Sequence, residues 1–289
     1  MVRPLSPPVE SPSLVERMRV PPPDDRMITG NGFAGRCRFV VNYDALSVNE
    51  DAENADWWFC NPEFLEYFFR HVAPESKYVL FTHNSNVDRP IDASFARRLA
   101  QPELLAWFAI NVELRHPKLH SIPLGVGNPI KCDPDAFRAV QDRPPGRSEL
   151  FEASFDVSTN PVERVYCIEQ TGIRPAPKTR TQREFYERLA SAYFCISPNG
   201  NGVDCYRTWQ ALYLGTIPVV TRSILTEQHP CIPWIVLDDW ADFHAVDFSE
   251  ELYERTWGDW DPSALTLDRY LERVTDIVAG TAAIGARDR

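Results

Sequence analysis

The run Ser197-Pro198-Asn199-Gly200-Asn201-Gly202-Val203-Asp204-Cys205-Tyr206-Arg207-Thr208-Trp209-Gln210-Ala211-Leu212 brings together the residue types that hold an anion. A short apolar stretch feeds a loop with two glycines, and residues at helical spacing follow. The unpaired N–H groups at the start of such a helix form a ready anion site. Asp204 fits the N-cap, which places Arg207 in the first turn, where a cation opposes the positive end of the helix dipole. A bound anion would offset that conflict; the plainer reading is a surface arginine paired with Asp204, beside ordinary turn glycines. A second polar turn, Ser158, Thr159 and Asn160 with Arg164 beyond it, can cap a helix and leave N–H groups for a phosphate.

Other signatures carry less. Asp133-Pro134-Asp135 and Asp259-Trp260-Asp261 both match a metal-holding D-x-D, but 21 aspartates in 289 residues give about 1.5 such matches by chance. Gly30-Asn31-Gly32-Phe33-Ala34-Gly35 is formally G-x-G-x-x-G. It precedes a strand and follows a proline-rich segment, the reverse of the order a dinucleotide site requires. The seven cysteines are widely spaced with no C-x-x-C, so neither a disulfide framework nor a zinc site is expected.

The elements that must position these residues alternate. Strands are expected over 38–43, 78–82, 106–110 and 119–124, with helices over 62–72 and 92–100 between them. A Pro/Gly/Arg cluster at 142–147 interrupts the rhythm. It resumes with a strand at 150–157, helices at 162–170 and 181–192, a strand at 193–197, a helix at 205–214 and a strand at 217–221. Such alternation argues for α/β architecture with parallel sheets covered by helices. We expect two α/β domains facing a cleft: 1–26 a disordered proline-rich tail, 27–147 the first domain, 148–262 the second, and 263–289 a helix returning to the first.

From Tyr193 to Val220 the chain resembles the C-terminal motif of exostosin-like glycosyltransferases: a strand, Ser197-Pro198, a glycine loop, Asp204, Arg207, Gln210-Ala211-Leu212, then Gly215-Thr216-Ile217-Pro218-Val219-Val220. Weaker likeness covers Thr159-Asn160 with Arg164, His83-Asn84-Ser85 at a strand end, and Ile122-Pro123-Leu124-Gly125. Gln210, Asn86 and Asn199 depart from the pattern, where a glutamate, an aspartate and a basic residue are usual. The resemblance implies two Rossmann-like domains, the GT-B architecture, and transfer of a sugar from a nucleotide-diphosphate donor to an acceptor hydroxyl by an inverting, metal-independent displacement without a cofactor. It implies a donor site of Ser158, Thr159, Asn160, Arg164, Ser197, Asn199, Gly200, Asn201, Gly202, Asp204, Arg207 and Gln210. Asn84, Ser85, Gly125, Gly127 and Asn128 would face the cleft. Such a displacement needs a base. His83 is a candidate because an unperturbed imidazole accepts a proton at neutral pH, and Asp88 and Glu113 are the alternatives.

A chain of 289 residues with 44% hydrophobic content can bury a sizeable core. Forty-one acidic against 30 basic residues, net −11, repel phosphate backbones and make nucleic acid a poor partner. No membrane span, signal-peptide h-region or N-x-S/T acceptor occurs, which with unpaired cysteines points to the cytoplasm. A non-catalytic relative that holds a nucleotide sugar or glycan fits the same residues.

Overall fold

The computed structural model describes residues 27–42, 45–85, 90–129, 131–179, 181–258 and 260–287. The segment expected as a tail, and Asn86, Asp88 and Asp259, lie outside them. The described chain is α/β, with a six-stranded, mostly parallel sheet and a four-stranded parallel sheet. The first holds β1 (Cys37–Asn42), β2 (Ala45–Val48), β3 (Asn54–Cys60), β4 (Tyr78–Thr82), β5 (Leu104–Ala109) and β6 (Leu119–Ser121) in the order β2-β1-β3-β4-β5-β6. Only β2 runs antiparallel, as a hairpin partner of β1. The second holds β7 (Glu149–Glu152), β8 (Ala192–Ile196), β9 (Ile217–Thr221) and β10 (Ile235–Leu237), ordered β10-β9-β8-β7. The two sheets share no strand, and the helix at 134–142, which precedes the expected break at 142–147, already packs on the second sheet through Phe137 and Val140.

The inner strands of the first sheet, chiefly β4 and β5, are buried on both faces, so they read as unbroken apolar runs. Along β3, Trp58 and Cys60 face one side and Trp57 and Phe59 the other, and β4 and β5 alternate in step, with Trp58 beside Leu80 and Leu80 beside Trp107. On the first side, short helical turns within 62–72 and 93–99 supply Leu65, Phe68, Phe69 and Leu99. The second side is closed by α1 (Gly30–Arg36), through Phe33, and by the last helix through Leu267, Tyr270 and Val274.

The helices around the second sheet are α2 (Pro134–Asp142), α3 (Pro161–Thr171), α4 (Gln182–Ala190), α5 (Tyr206–Tyr213), α6 (Ile224–Gln228) and α7 (Glu250–Trp257), and the last is α8 (Leu267–Arg287). One core joins Phe137, Tyr186, Leu189 and Ala211 beneath Cys195, and another joins Cys167, Trp240 and Phe243 to Phe194, Ile196, Ile217 and Val219. Local chemistry starts several helices: Asp133, Asn160 and Thr181 each accept from a first-turn N–H, and Pro follows two of them at the first helical position.

Three features differ from expectation. The glycine run at 30–35 forms α1, because Gly30 and Gly32 provide room rather than a turn: a Cβ at Gly30 would lie 1.9 Å from Asn84 Oδ1, and one at Gly32 would lie 2.9 Å from Leu267 Cδ2. β2, β3 and β10 add strands that periodicity does not announce. Neither sheet reverses its strand order among parallel strands, so neither contains the internal crevice at which doubly wound sheets bind ligands. Among the described residues no helix is long and apolar enough to cross a membrane.

Candidate functional site

A cavity of about 290 Å³ lies where the C-terminal ends of strands from both sheets converge. From the first sheet come Ser85 beyond β4, Ile110 and Asn111 beyond β5, and Leu124 beyond β6. From the second come Thr159 and Arg164 beyond β7, with Gly200, Asn201, Gly202, Asp204, Cys205, Tyr206 and Arg207 beyond β8.

Two buried guanidiniums dominate its electrostatics, Arg164 at 4% and Arg207 at 8% exposure. Arg164 donates from Nε to the Asn199 carbonyl at 2.9 Å and from Nη1 to the Asp156 carbonyl. Arg207 donates from Nη1 to the Ser154 carbonyl at 3.1 Å and from Nη2 to the Pro198 carbonyl at 3.0 Å, while its Nε is buried without a partner. Both stand over the Phe155 ring, 5.6 and 5.4 Å from its centroid. Neither forms a salt bridge with a carboxylate of the described residues; Glu152, the acid nearest in influence to Arg207, pairs instead with Arg188 at 3.3 Å. Burial lowers the Arg164 pKa, and the Arg207 charge lowers it further. Asp156 and Glu152 offset part of this charge through space, but neither forms an ion pair with the two arginines, and a buried cation that is incompletely compensated costs several kcal/mol. The plainer reading of Arg207 as a surface residue paired with Asp204 does not hold.

The glycine loop fits around these groups. A Cβ on Gly200 would lie 3.1 Å from Arg164 Nη2, and one on Gly202 would lie 2.2 Å from Asn111 Oδ1, so the loop touches both walls of the cavity. Of the expected donor residues, Thr159, Arg164, Gly200, Asn201, Gly202, Asp204 and Arg207 line the space. The others stand behind it. Ser158 turns its hydroxyl to Asp156 at 2.7 Å. Asn160 caps α3 and donates to the Gly200 carbonyl at 3.0 Å. Ser197 bonds Thr208 at 2.8 Å, and Asn199 contributes only its carbonyl to Arg164.

Several assignments need correction. The N-cap of α5 is Cys205, whose side chain makes no capping bond. Asp204, one residue earlier, accepts from the main-chain N–H of Leu124 (2.8 Å) and Cys205 (2.7 Å) and from the Trp209 indole (2.8 Å). Burial raises its pKa to about 7 against the pull of those donors. Gln210 does not line the cavity; its Nε2 donates to the Val126 carbonyl at 2.9 Å. Asp204 and Gln210 thus tie α5 to the segment after β6.

His83 is not placed to act as a base. Its Nδ1 accepts from the Asn84 N–H at 2.7 Å, which leaves Nε2 to donate to the Pro123 carbonyl at 3.2 Å, and burial lowers its pKa to about 4. Glu113 is exposed and does not line the cavity. Of the cleft residues only Ser85 does, with its hydroxyl also donating to Glu63 at 3.1 Å. Asn84 and Asn128 bond each other at 2.8 Å within a set completed by Asn31. Gly125 and Gly127 have φ of +70° and +94°, and a Cβ on Gly125 would fall 2.0 Å from the Ile28 carbonyl oxygen. Trp57, Trp58 and Trp107 are core.

Among the described residues no group of three or more His, Cys, Asp or Glu could hold a metal. Asp133 accepts from the Ala136 N–H at 3.0 Å as the cap of α2, with Asp135 in its first turn. Sequence reasoning missed Phe155, Ile110, Asn111, Cys205 and Tyr206. The first three follow strand C-terminal ends, the one signal that could have found them. No family model matches the chain, and no curated protein does.

Proposed function

We propose that this chain is a glycosyltransferase that takes a sugar from a nucleotide-diphosphate donor and passes it to an acceptor hydroxyl. The observation that carries the reading is the pair of buried guanidiniums, Arg164 on α3 and Arg207 on α5, neither ion-paired with a described carboxylate, beside the glycine loop of a cavity lined by both sheets. A diphosphate supplies the missing negative charge, and in a site shielded from water each charge-assisted bond is worth more than at the surface. As the bond to the sugar breaks, charge grows on the leaving diphosphate, and the arginines stand where they would stabilise it.

The likeness to exostosin-like enzymes over 193–220 supports this, as does the placement of seven expected donor residues around one cavity. On this reading the first sheet belongs to the acceptor-side domain and the second sheet to the donor-side domain of a GT-B enzyme, which works in the cytoplasm by an inverting displacement with no metal. Asp88, three residues beyond Ser85, is the remaining candidate for the base. A panel of UDP, GDP, ADP and dTDP in thermal-shift binding, followed by transfer assays with the matching sugar conjugates, tests the proposal. Absence of any diphosphate binding would overturn it.

One observation favours a second reading, a binding protein without turnover. Asp204 is the only carboxylate among the described lining residues, and N–H donors occupy its oxygens. Binding without hydrolysis or transfer across the panel would select that reading.

A further inference from the structure

Asn111 combines three features that the fold alone does not require. Its backbone is left-handed, with φ of +53°, two residues beyond the end of β5. Its side chain lines the cavity yet has no hydrogen-bond partner among the described residues, and its Oδ1 is buried. Its amide lies against Gly202, where a Cβ would fall within 2.5 Å of both Oδ1 and Nδ2. A buried amide oxygen left without a partner costs about 1–3 kcal/mol. Unpaired polar groups on unusual backbone gather at ligand sites.

We infer that Asn111 reads a hydroxyl on the group carried beyond the diphosphate, and so helps set which sugar the site accepts. The inference rests on the reading of the arginine pair as a diphosphate site. Arg164 approaches Gly200 and Asn111 approaches Gly202, two residues along the same loop. Two residues span at most about 7 Å, so the amide and the guanidinium border the same short stretch of the cavity from opposite walls. That wall belongs to the first sheet, and the residue therefore meets the part of the ligand that leaves the phosphates. Without a bond of its own, the amide can turn about its Cβ–Cγ bond to offer either oxygen or NH2. A hydroxyl donates and accepts, and suits either end.

The test substitutes Asn111→Gly, which keeps the left-handed backbone available and removes only the amide. Calorimetry compares UDP, GDP, ADP and dTDP with UDP-glucose, GDP-mannose, ADP-glucose and dTDP-glucose, using whichever pair the wild type binds. We expect the ratio of conjugate to diphosphate affinity to fall about tenfold in the variant, the effect of one lost hydrogen bond. Asn111→Ala should show the same fall with a lower melting temperature, because alanine strains at positive φ. An unchanged ratio, whether both affinities hold or both drop together, overturns the assignment of Asn111 while leaving the diphosphate site standing. A wild type that binds none of the eight probes overturns the diphosphate reading itself, and the role of Asn111 with it.

Discussion

Replacing Arg207 with methionine separates an anion site from a structural arginine. The substitution removes two bonds to main-chain carbonyls, at 3.1 and 3.0 Å, each worth about 1.5–3 kcal/mol. It also removes costs. The guanidinium carbons of Arg164 and Arg207, 5.6 and 5.4 Å from one ring centroid, can be no more than about 11 Å apart. At an effective dielectric of about 20, their repulsion is then at least roughly 1.5 kcal/mol. The buried, unpartnered Nε adds a penalty of about 1–3 kcal/mol that methionine lacks. These terms nearly cancel, so the ligand-free variant should unfold within a few degrees of wild type. Binding should not survive in the same way. Pyrophosphate at 100 times its dissociation constant stabilises the wild type by about 2.7 kcal/mol, a rise of roughly 5–10 °C for a chain of this size. Loss of one charge-assisted contact weakens affinity by about 10- to 150-fold, leaving roughly 0.3–1.4 kcal/mol at the same concentration. Differential scanning fluorimetry with and without pyrophosphate at fixed ionic strength reads both quantities. A full ligand shift in Arg207→Met, or none in wild type, refutes the reasoning. Arg207→Lys should also bind more weakly, because an ammonium lacks the planar fork.

Gly125→Ala places a Cβ 2.0 Å from the Ile28 carbonyl oxygen at a φ of +70°, and we expect it to cost roughly 2 kcal/mol or more in urea unfolding; an unchanged midpoint would show that this segment packs otherwise. Burial lowers His83 and His229 from 6.5 to about 4, so between those values the unfolded chain binds the extra protons and stability falls as pH drops. Asp204, raised from 3.8 to about 7, works in the opposite sense over the same window. Two histidines outweigh one carboxylate by on the order of 2 kcal/mol, and the urea midpoint should be lower at pH 4.5 than at pH 7.5; a higher midpoint at pH 4.5 counts against neutral buried histidines. If the diphosphate charge is met by Arg164, Arg207 and helix N–H groups, transfer should proceed at an unchanged rate in excess EDTA, and loss restored by manganese would reinstate an aspartate pair as metal ligands.

What could be read of the fold follows the range of the forces that make it. Caps are local, and Asn160 and Thr181 stand at the starts of α3 and α4 as side-chain chemistry dictates. The strand at 54–60 is not local in that sense. Its Trp57-Trp58-Phe59-Cys60 run is apolar on both faces, because helices cover both sides of the sheet, and so it lacks the alternation that marks a strand. The edge strand β2 hides for the opposite reason, since its Leu46 and Val48 are exposed. In α1, glycine, ordinarily a sign of turns, serves as a gap for Asn84 and Leu267, residues distant in the chain.

The same distinction governs the site. Arg207 and Gly200 lie in one short run, and their order alone suggests an anion loop. His83 invites assignment as a base because its ordinary pKa suits the task, whereas packing against Phe33 and bonds to Asn84 and Pro123 withdraw both nitrogens. Phe155 and Asn111 carry no local signature. Topology shows why they nonetheless matter. Each set of parallel strands advances in one direction without reversal, so neither sheet opens a crevice within itself. The cavity opens instead between the two sets of C-terminal strand ends, and the strands bordering it deliver residues just beyond their ends: Ser85, Asn111 and Leu124 from one sheet, Phe155 and the glycine loop from the other. Residues scattered over 120 positions of sequence become neighbours through that geometry.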